Sequence, residues 1–123
     1  MVAYNFQARF ASDVEAGRKL RTIRAVGKRR HAQFGDTLQL YTGMRTRGCR
    51  LLRTAKCTGS MFCLISEEGV TLGDQPQTSL DEFARADGFQ DFENMKQWFR
   101  DTHGLPFIGR MIEWDRVMEE HER

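Results

Sequence analysis

The segment from Gly17 to Arg24 carries the residue types most suited to chemistry in this chain. Its sequence, Gly-Arg-Lys-Leu-Arg-Thr-Ile-Arg, places an amine, a hydroxyl and several guanidinium groups close together. A threonine hydroxyl attacks a carbonyl only when a neighbouring base accepts its proton, and Lys19 is close enough to Thr22 in sequence to be that base. The same groups also suit an anionic or nucleotide-like ligand. The segment therefore predicts either a nucleophilic site or an anion site.

Lys19 can serve as that base only if it loses its proton. A free lysine has a pKa of about 10.4 and is protonated at neutral pH, but neighbouring arginines disfavour its ammonium form, and burial adds to this effect. Residues three apart in a flat strand point to opposite faces, so we expect Lys19 on a bend after Gly17 and Thr22 inside a strand. Thr22 and Arg24 would then share a face, which lets Arg24 reach the same ligand.

The alternative interpretation is that this segment is only a basic surface. Thr22 would then be a simple strand former, and the Lys and Arg residues would form a solvated edge or a phosphate-binding patch. Seven of the thirteen residues from Arg18 to Arg30 are Lys or Arg, although the net charge of the chain is only +2. Because structural charge clusters outnumber catalytic ones, composition alone favours this interpretation. Either way, one face is predicted to be basic.

Glu93 is a third candidate for chemistry. It lies beside the apolar face of a predicted helix, on the flank shared with Lys96 and Gln97, and a carboxylate there could orient Lys19 or bind a substrate amino group. The simpler interpretation is a glutamate in the first turn of a helix, where the helix dipole favours a negative charge. The residues alone favour the simpler interpretation.

The cysteines and histidines do not indicate a metal site. The three cysteines are odd in number and lack CxxC spacing, which argues against a disulfide framework or a zinc site and predicts reduced, buried thiols. His31 and His103 have no carboxylate or cysteine partner at a motif spacing, and His121 lies in the C-terminal tail. We therefore expect no metal.

Length and composition indicate a single domain, residues 1–123. A chain of 123 residues can hold one core but not two domains of ordinary size. Its 40% hydrophobic and 29% charged residues are typical of a globular protein and exclude a disordered one. The sequence has no signal-peptide core and no run of about 18 apolar residues, so we expect a cytoplasmic protein without a membrane partner.

The hydrophobic pattern predicts the elements that position these residues. A short helix, or a strand running into one, is expected over 6–17, and two further helices begin at a Ser79 capping box and at Asp91. Strands are expected at 21–25, 37–42, 49–55, 61–66 and 106–114, with a short edge near 70–72. Gly59-Ser60 marks a hairpin or a bulge within one long strand. Strands with two or three short helices predict a small, β-barrel-like α+β domain.

Several of these residues resemble a known family. They are Phe6, Arg9, Phe10, Val14, Gly17-Arg18-Lys19, Thr22-Ile23-Arg24, Gly35-Asp36 and Ile112-Glu113-Trp114. Together they resemble the ASCH domain family, relatives of the PUA-like β-barrels, over nearly the whole chain. Within it, the chain is most similar to the small N4-acetylcytidine amidohydrolases. Their Gly-Arg-Lys-x-x-Thr-Ile-Arg signature and their later Glu-Asn-Met match residues 17–24 and 93–95.

The resemblance implies a catalytic triad of Lys19, Thr22 and Glu93. It also implies a PUA-like barrel and hydrolysis of the N-acyl amide of an N4-acylcytidine or cytosine-type substrate, without a metal or an organic cofactor. Its substrate-binding positions would be Phe6, Arg9 and Arg24. Other ASCH proteins are associated with RNA, so a non-catalytic RNA-binding module and a ribonuclease remain the alternatives, although no His pair for acid-base work is evident.

Overall fold

The computed structural model of the protein describes residues 1–116 and has an α+β fold, with three helices and a seven-stranded sheet among those residues. The strands are β1 (Val2–Phe6), β2 (Arg21–Ala25), β3 (Thr37–Thr42), β4 (Arg50–Ile65), β5 (Val70–Leu72), β6 (Gln75–Pro76) and β7 (Phe107–Trp114). The helices are α1 (Ala8–Ala16), α2 (Leu80–Ala86) and α3 (Phe92–Thr102). The predicted α+β class is confirmed.

Strand β4 organises the sheet. Its first half pairs antiparallel with β3 and its second half pairs antiparallel with β7. A register shift between Cys57 and Gly59 interrupts the pairing with β7, so the bulged long strand is the correct one of the two predicted alternatives. Strand β3 continues to β1 in parallel, and β7 continues to β2 antiparallel. Among the described strands, β1 and β2 each pair on one side only.

Helix α1 places the basic segment at the start of β2. Gly17 ends the helix in the left-handed conformation, at φ 80°, which a residue without Cβ adopts readily. The backbone N–H groups of Arg18 and Lys19 then both donate to the carbonyl of Asp13 and fix the bend. As predicted, Lys19 lies on this bend and Thr22 lies inside the strand.

The caps of α2 and α3 were only partly predicted. The side chain of Asp91 accepts from the N–H of Asn94 at 2.8 Å, which confirms it as the cap of α3. Ser79 precedes α2, but its side chain makes no capping hydrogen bond, so the predicted capping box does not form. Gly88 follows α2 with φ 99° and ends it, as expected.

The core lies between the sheet and the helices. The predicted apolar face of α3 is buried, through Phe92, Met95 and Phe99. All three cysteines are free, and Cys57 and Cys63 are buried as predicted. Cys49 is exposed, against the prediction, because it lies in the loop before β4 and not in the strand. Within residues 1–116, no helix has the length and apolar character needed to cross a membrane.

Candidate functional site

A cavity of about 220 Å³ opens between β1 and β2, and both Lys19 and Thr22 line it. Its walls come from both strands, from the bend after α1, from the turn after α2 and from α3. Aromatic rings form much of the wall, from Phe6, Phe10, Phe89, Trp98 and Phe99. The structure therefore brings together two of the three predicted catalytic residues in a space with flat apolar surfaces.

Lys19 is buried in an ion pair. It is 3% exposed, and its Nζ donates to the backbone carbonyl of Asp87 at 2.6 Å and to Asp87 Oδ1 at 2.9 Å. Removal from water lowers the pKa of Lys19, the positive charges of Arg24 and Arg21 lower it further, and the carboxylate of Asp87 opposes them. The net direction is towards the neutral amine, as the sequence predicted.

Asp87 is a site residue that sequence reasoning missed. It follows the last residue of α2, and 68 positions separate it from Lys19. A negative charge is unfavourable at the C-terminal end of a helix dipole, so an aspartate there needs a compensating cation. Asp87 directly precedes Gly88, which the sequence correctly predicted as the end of the helix. An acidic residue at that position is the signal that could have revealed the site.

Gly88 allows the turn after α2 to approach the cavity closely. A Cβ on Gly88 would lie 2.8 Å from Cδ1 of Phe10 and 3.6 Å from Cδ of Lys19, and its φ of 99° is unfavourable for other residues. Phe89, the next residue, packs edge-on against Phe10 at 5.6 Å between ring centroids. The tripeptide Asp87-Gly88-Phe89 thus supplies a carboxylate, a close backbone approach and an aromatic wall.

Arg21 holds α2 in the position that this turn needs. Its guanidinium lies 4.2 Å from the ring centroid of Phe83, and its Nη2 donates to the carbonyl of Phe83. Burial lowers the pKa of Arg21, with the charges of Asp87 and Glu113 acting against that change. Because Arg21 lies in β2, it ties the strand that carries Thr22 to the helix that carries Asp87.

Thr22 is hydrogen bonded to Arg24, as expected for two residues on one face of a strand. Thr22 is 5% exposed, and its Oγ1 accepts from Nε of Arg24 at 2.9 Å. Nη2 of Arg24 donates to the carbonyl of Asn5 in β1 at 2.6 Å, and the guanidinium lies 4.9 Å from the ring centroid of Phe6. A hydroxyl that accepts this bond still has its own proton to give.

Lys19 and Thr22 share the cavity without a direct hydrogen bond. Among the described residues, both hydrogen bonds of Lys19 Nζ go to Asp87, and the Thr22 hydroxyl is bonded to Arg24. Hydrogen bonds between catalytic groups often form only in the complex with substrate. The structure thus shows an amine and a hydroxyl that line one cavity, each held by a hydrogen-bond partner of its own.

Glu93 does not reach the cavity. Its side chain is 80% exposed, and its Oε2 lies 3.2 Å from Nζ of Lys96, one turn along α3. The predicted contact between Glu93 and Lys19 is wrong, because Glu93 lies one position from the buried face of α3 and points outward. The simpler interpretation, a first-turn glutamate favoured by the helix dipole, describes its position correctly.

The predicted substrate-binding residues differ in their placement. Phe6 and Arg24 line the cavity. Arg9 is exposed and does not line it, but its guanidinium lies 4.7 Å from the ring centroid of Phe10 and 5.2 Å from that of Phe89. Arg9 thus covers the outer side of an aromatic wall. His103, which sequence reasoning set aside, does line the cavity, and burial lowers the pKa of its imidazole.

Comparisons with protein-family models, with curated proteins and with solved structures find no match to this chain. In the part of the chain that the structure describes, no three His, Cys, Asp or Glu side chains lie together in a way that could hold a metal ion.

Proposed function

We propose that this chain is an ASCH-type amidohydrolase that cleaves the N-acyl amide of an N4-acylated cytidine or cytosine. The resemblance of residues 17–24 to the amidohydrolase signature implies the substrate, and the observation that carries the chemistry is the meeting of Lys19, Thr22 and the buried carboxylate of Asp87 at one cavity with aromatic walls. We also propose a PUA-like barrel. The bulge in β4 bends the sheet, and the Arg24 side chain spans the space between β1 and β2.

The reaction begins with proton transfer from Thr22 to Lys19. Neutral Lys19 accepts the hydroxyl proton, and Oγ1 attacks the acyl carbon to form a tetrahedral intermediate. Arg24 donates to Oγ1 at 2.9 Å, so its positive charge stabilises the oxygen as its proton leaves. Lys19 then gives the proton to the exocyclic nitrogen, the carbon–nitrogen bond breaks, and the free base leaves with the acyl group on Thr22.

Water completes the cycle. Lys19, again neutral, accepts a proton from a water molecule, which attacks the acyl-threonine ester and releases the carboxylic acid. The proton returns from Lys19 to Oγ1 of Thr22, so the enzyme ends as it began. Asp87 does not contact the acyl group in this scheme and acts as a positioning residue, because it holds Lys19 Nζ through two hydrogen bonds. The aromatic wall supplies surfaces on which a pyrimidine ring can stack.

A direct assay tests the proposal against its rivals. The basic surface beside the cavity favours a second candidate, a non-catalytic RNA-binding module. We would incubate the protein with N4-acetylcytidine and, separately, with a short single-stranded RNA. Release of cytidine and acetate supports the amidohydrolase. Binding of the RNA together with no cytidine released from N4-acetylcytidine supports the binding module, RNA fragments support a ribonuclease, and either result overturns the proposal.

Variants of Asp87 and Glu93 test which of these two carboxylates assists Lys19. Glu93→Gln is expected to keep kcat/KM within about twofold, because that side chain faces solvent. Asp87→Asn is expected to lower kcat/KM by about 10²-fold, because Lys19 loses its charged partner and its fixed position. The check is kcat/KM for N4-acetylcytidine, with the melting temperature of both variants. A large loss in Glu93→Gln would restore the sequence-based triad.

The pH dependence should report the protonation of Lys19. A base must be neutral to act, so kcat/KM should rise with pH and level off once Lys19 has lost its proton. Since burial, Arg24 and Arg21 lower the pKa of Lys19 from its usual 10.5, levelling should occur below that pH. Asp87 acts in the opposite direction, so Asp87→Asn should move the rise to lower pH. Rates measured between about pH 5 and 10 test this, and a flat profile would remove Lys19 as the base.

A further inference from the structure

A second, larger depression adjoins the cavity across Arg24. It measures about 500 Å³ and shares Asn5, Arg24 and Ala25 with the cavity wall. Its cationic lining residues are Arg24, Lys28, Arg29, Arg30 and Arg45, and we call this surface the basic groove. Within residues 1–116, no Asp or Glu lines it. A concave surface of one sign concentrates counter-ions and ligands of the opposite sign.

Most of the charge in the basic groove is uncompensated. Arg30 pairs with Asp36, at 3.1 Å from Nη1 to Oδ2. In the described part of the chain, no carboxylate oxygen lies within 4.0 Å of Lys28, Arg29 or Arg45. A single phosphate monoester carries about two negative charges at most. The groove therefore has more free positive charge than one such group would neutralise.

The groove is built from anchored backbone. The Tyr4 hydroxyl accepts from the N–H of Ala32 at 3.0 Å and is hydrogen bonded to Nδ1 of His31 at 2.9 Å. Nε2 of His31 in turn donates to the carbonyl of Ala25 at 2.8 Å, because a carbonyl oxygen can only accept. The end of the loop that carries Lys28 to Arg30 is thereby tied to both β1 and β2.

Arg45 lines the groove with its backbone in an unfavourable conformation. Its φ of 67° lies in the left-handed region, which residues with a Cβ rarely adopt. The turn around it is fixed, because Met44 N–H donates to Oδ1 of Asn5 at 2.9 Å and Thr46 Oγ1 donates to the carbonyl of Gly43. Glycine would relieve the strain, yet the position carries a guanidinium at the groove wall. Strain kept at the wall of a charged concave surface indicates a role for the side chain.

We infer that the basic groove binds the phosphodiester backbone of a single-stranded polynucleotide. The target cytidine then enters the cavity as one residue of a strand, and neighbouring phosphates lie against Lys28, Arg29 and Arg45. Arg24 sits at the boundary, where the sugar of the inserted base would pass from cavity to groove. A single strand fits because its bases are free to leave the stack. The identity of the base rests on the proposed function, and the phosphate site does not.

Binding of an unmodified strand tests the phosphate site alone. We would measure the Kd of a labelled cytidine hexanucleotide, as RNA and as DNA, over a range of salt concentrations. Affinity should fall with salt, and Arg45→Gly should weaken it about tenfold and reduce the slope of log K against log salt by about 0.7. Glycine is the chosen replacement because it accepts the φ of residue 45 without strain. Arg47→Ala, in the same loop but outside the groove, is the matched control and should bind normally.

Hydrolysis of matched substrates tests whether the acetylated cytidine is recognised as part of a strand. We would compare kcat/KM for N4-acetylcytidine, its 5′-monophosphate and a trinucleotide with the acetylated residue in the middle. The trinucleotide should be best by at least about tenfold, and Arg45→Gly should remove that advantage. Equal values for all three, or an Arg45→Gly variant that binds and reacts normally, would overturn the inference. Groove-dependent strand binding without any hydrolysis would sustain it while removing the proposed amidohydrolase.

Discussion

Thr22→Val is expected to lower kcat for N4-acetylcytidine by at least about 10³-fold while the protein stays folded. Valine has the shape of threonine and the same preference for a strand, so the packing of β2 is kept. The valine side chain has no oxygen, so it cannot attack the acyl carbon and no acyl-enzyme intermediate can form. The only stability cost expected is about 1 kcal/mol, because Nε of Arg24 loses its acceptor.

Thr22→Ser provides the matched control. Serine keeps a hydroxyl at the same position, still able to accept from Arg24, so this variant should retain measurable turnover. Kinetics with purified proteins, together with thermal unfolding of each, separates lost chemistry from lost structure. If the valine variant hydrolyses the substrate at a rate near that of the unmodified protein, Thr22 is not the nucleophile.

Lys19→Met should be the most destabilising single change in the site, by about 3–5 kcal/mol. Methionine can fill the space of the lysine side chain, but the carboxylate of Asp87 is then left buried without a cation. The net stability of a domain is about 5–15 kcal/mol, so the loss is a large part of the total. Urea unfolding measures it, and activity should disappear as well.

A double variant keeps this prediction testable if the single one unfolds. Lys19→Met combined with Asp87→Leu replaces the whole ion pair with apolar side chains of similar size, which is often neutral or stabilising. Most of the lost stability should therefore return, whereas activity should not. Stability that stays as low as in the single variant would show that Asp87 is not the partner that matters. Activity in the double variant would remove Lys19 from the mechanism.

Local signals in the sequence predicted the elements well. Strand β3 was predicted with its observed ends, because Leu38 and Leu40 alternate with polar residues and both are fully buried. Gly17 and Gly88 marked two helix ends, because glycine accepts the left-handed conformation that both ends require. The bulge in β4 stayed open between two alternatives, because a glycine next to a serine fits a turn as well as a bulge.

The site was predictable only where its residues are close in sequence. Lys19, Thr22 and Arg24 lie in one short segment, so the bend after α1 and strand periodicity were enough to place them. Asp87 meets Lys19 where the turn after α2 lies against the bend before β2, a contact between residues 68 positions apart that no local pattern encodes. Glu93 was assigned to the catalytic triad from a motif match. Its position on the helix, one residue from the apolar face, already favoured a solvent-exposed side chain.

The unpaired edges of β1 and β2 have a further consequence. Unpaired strand edges invite pairing with another molecule and lead to aggregation. Here one carbonyl of each strand accepts a hydrogen bond from a side chain, since Arg24 donates to Asn5 in β1 and His31 donates to Ala25 in β2. The protein can therefore keep an opening between two strands for a ligand while denying those same edges to a neighbouring chain. Solubility at high concentration and access to the cavity would then depend on the same two side chains.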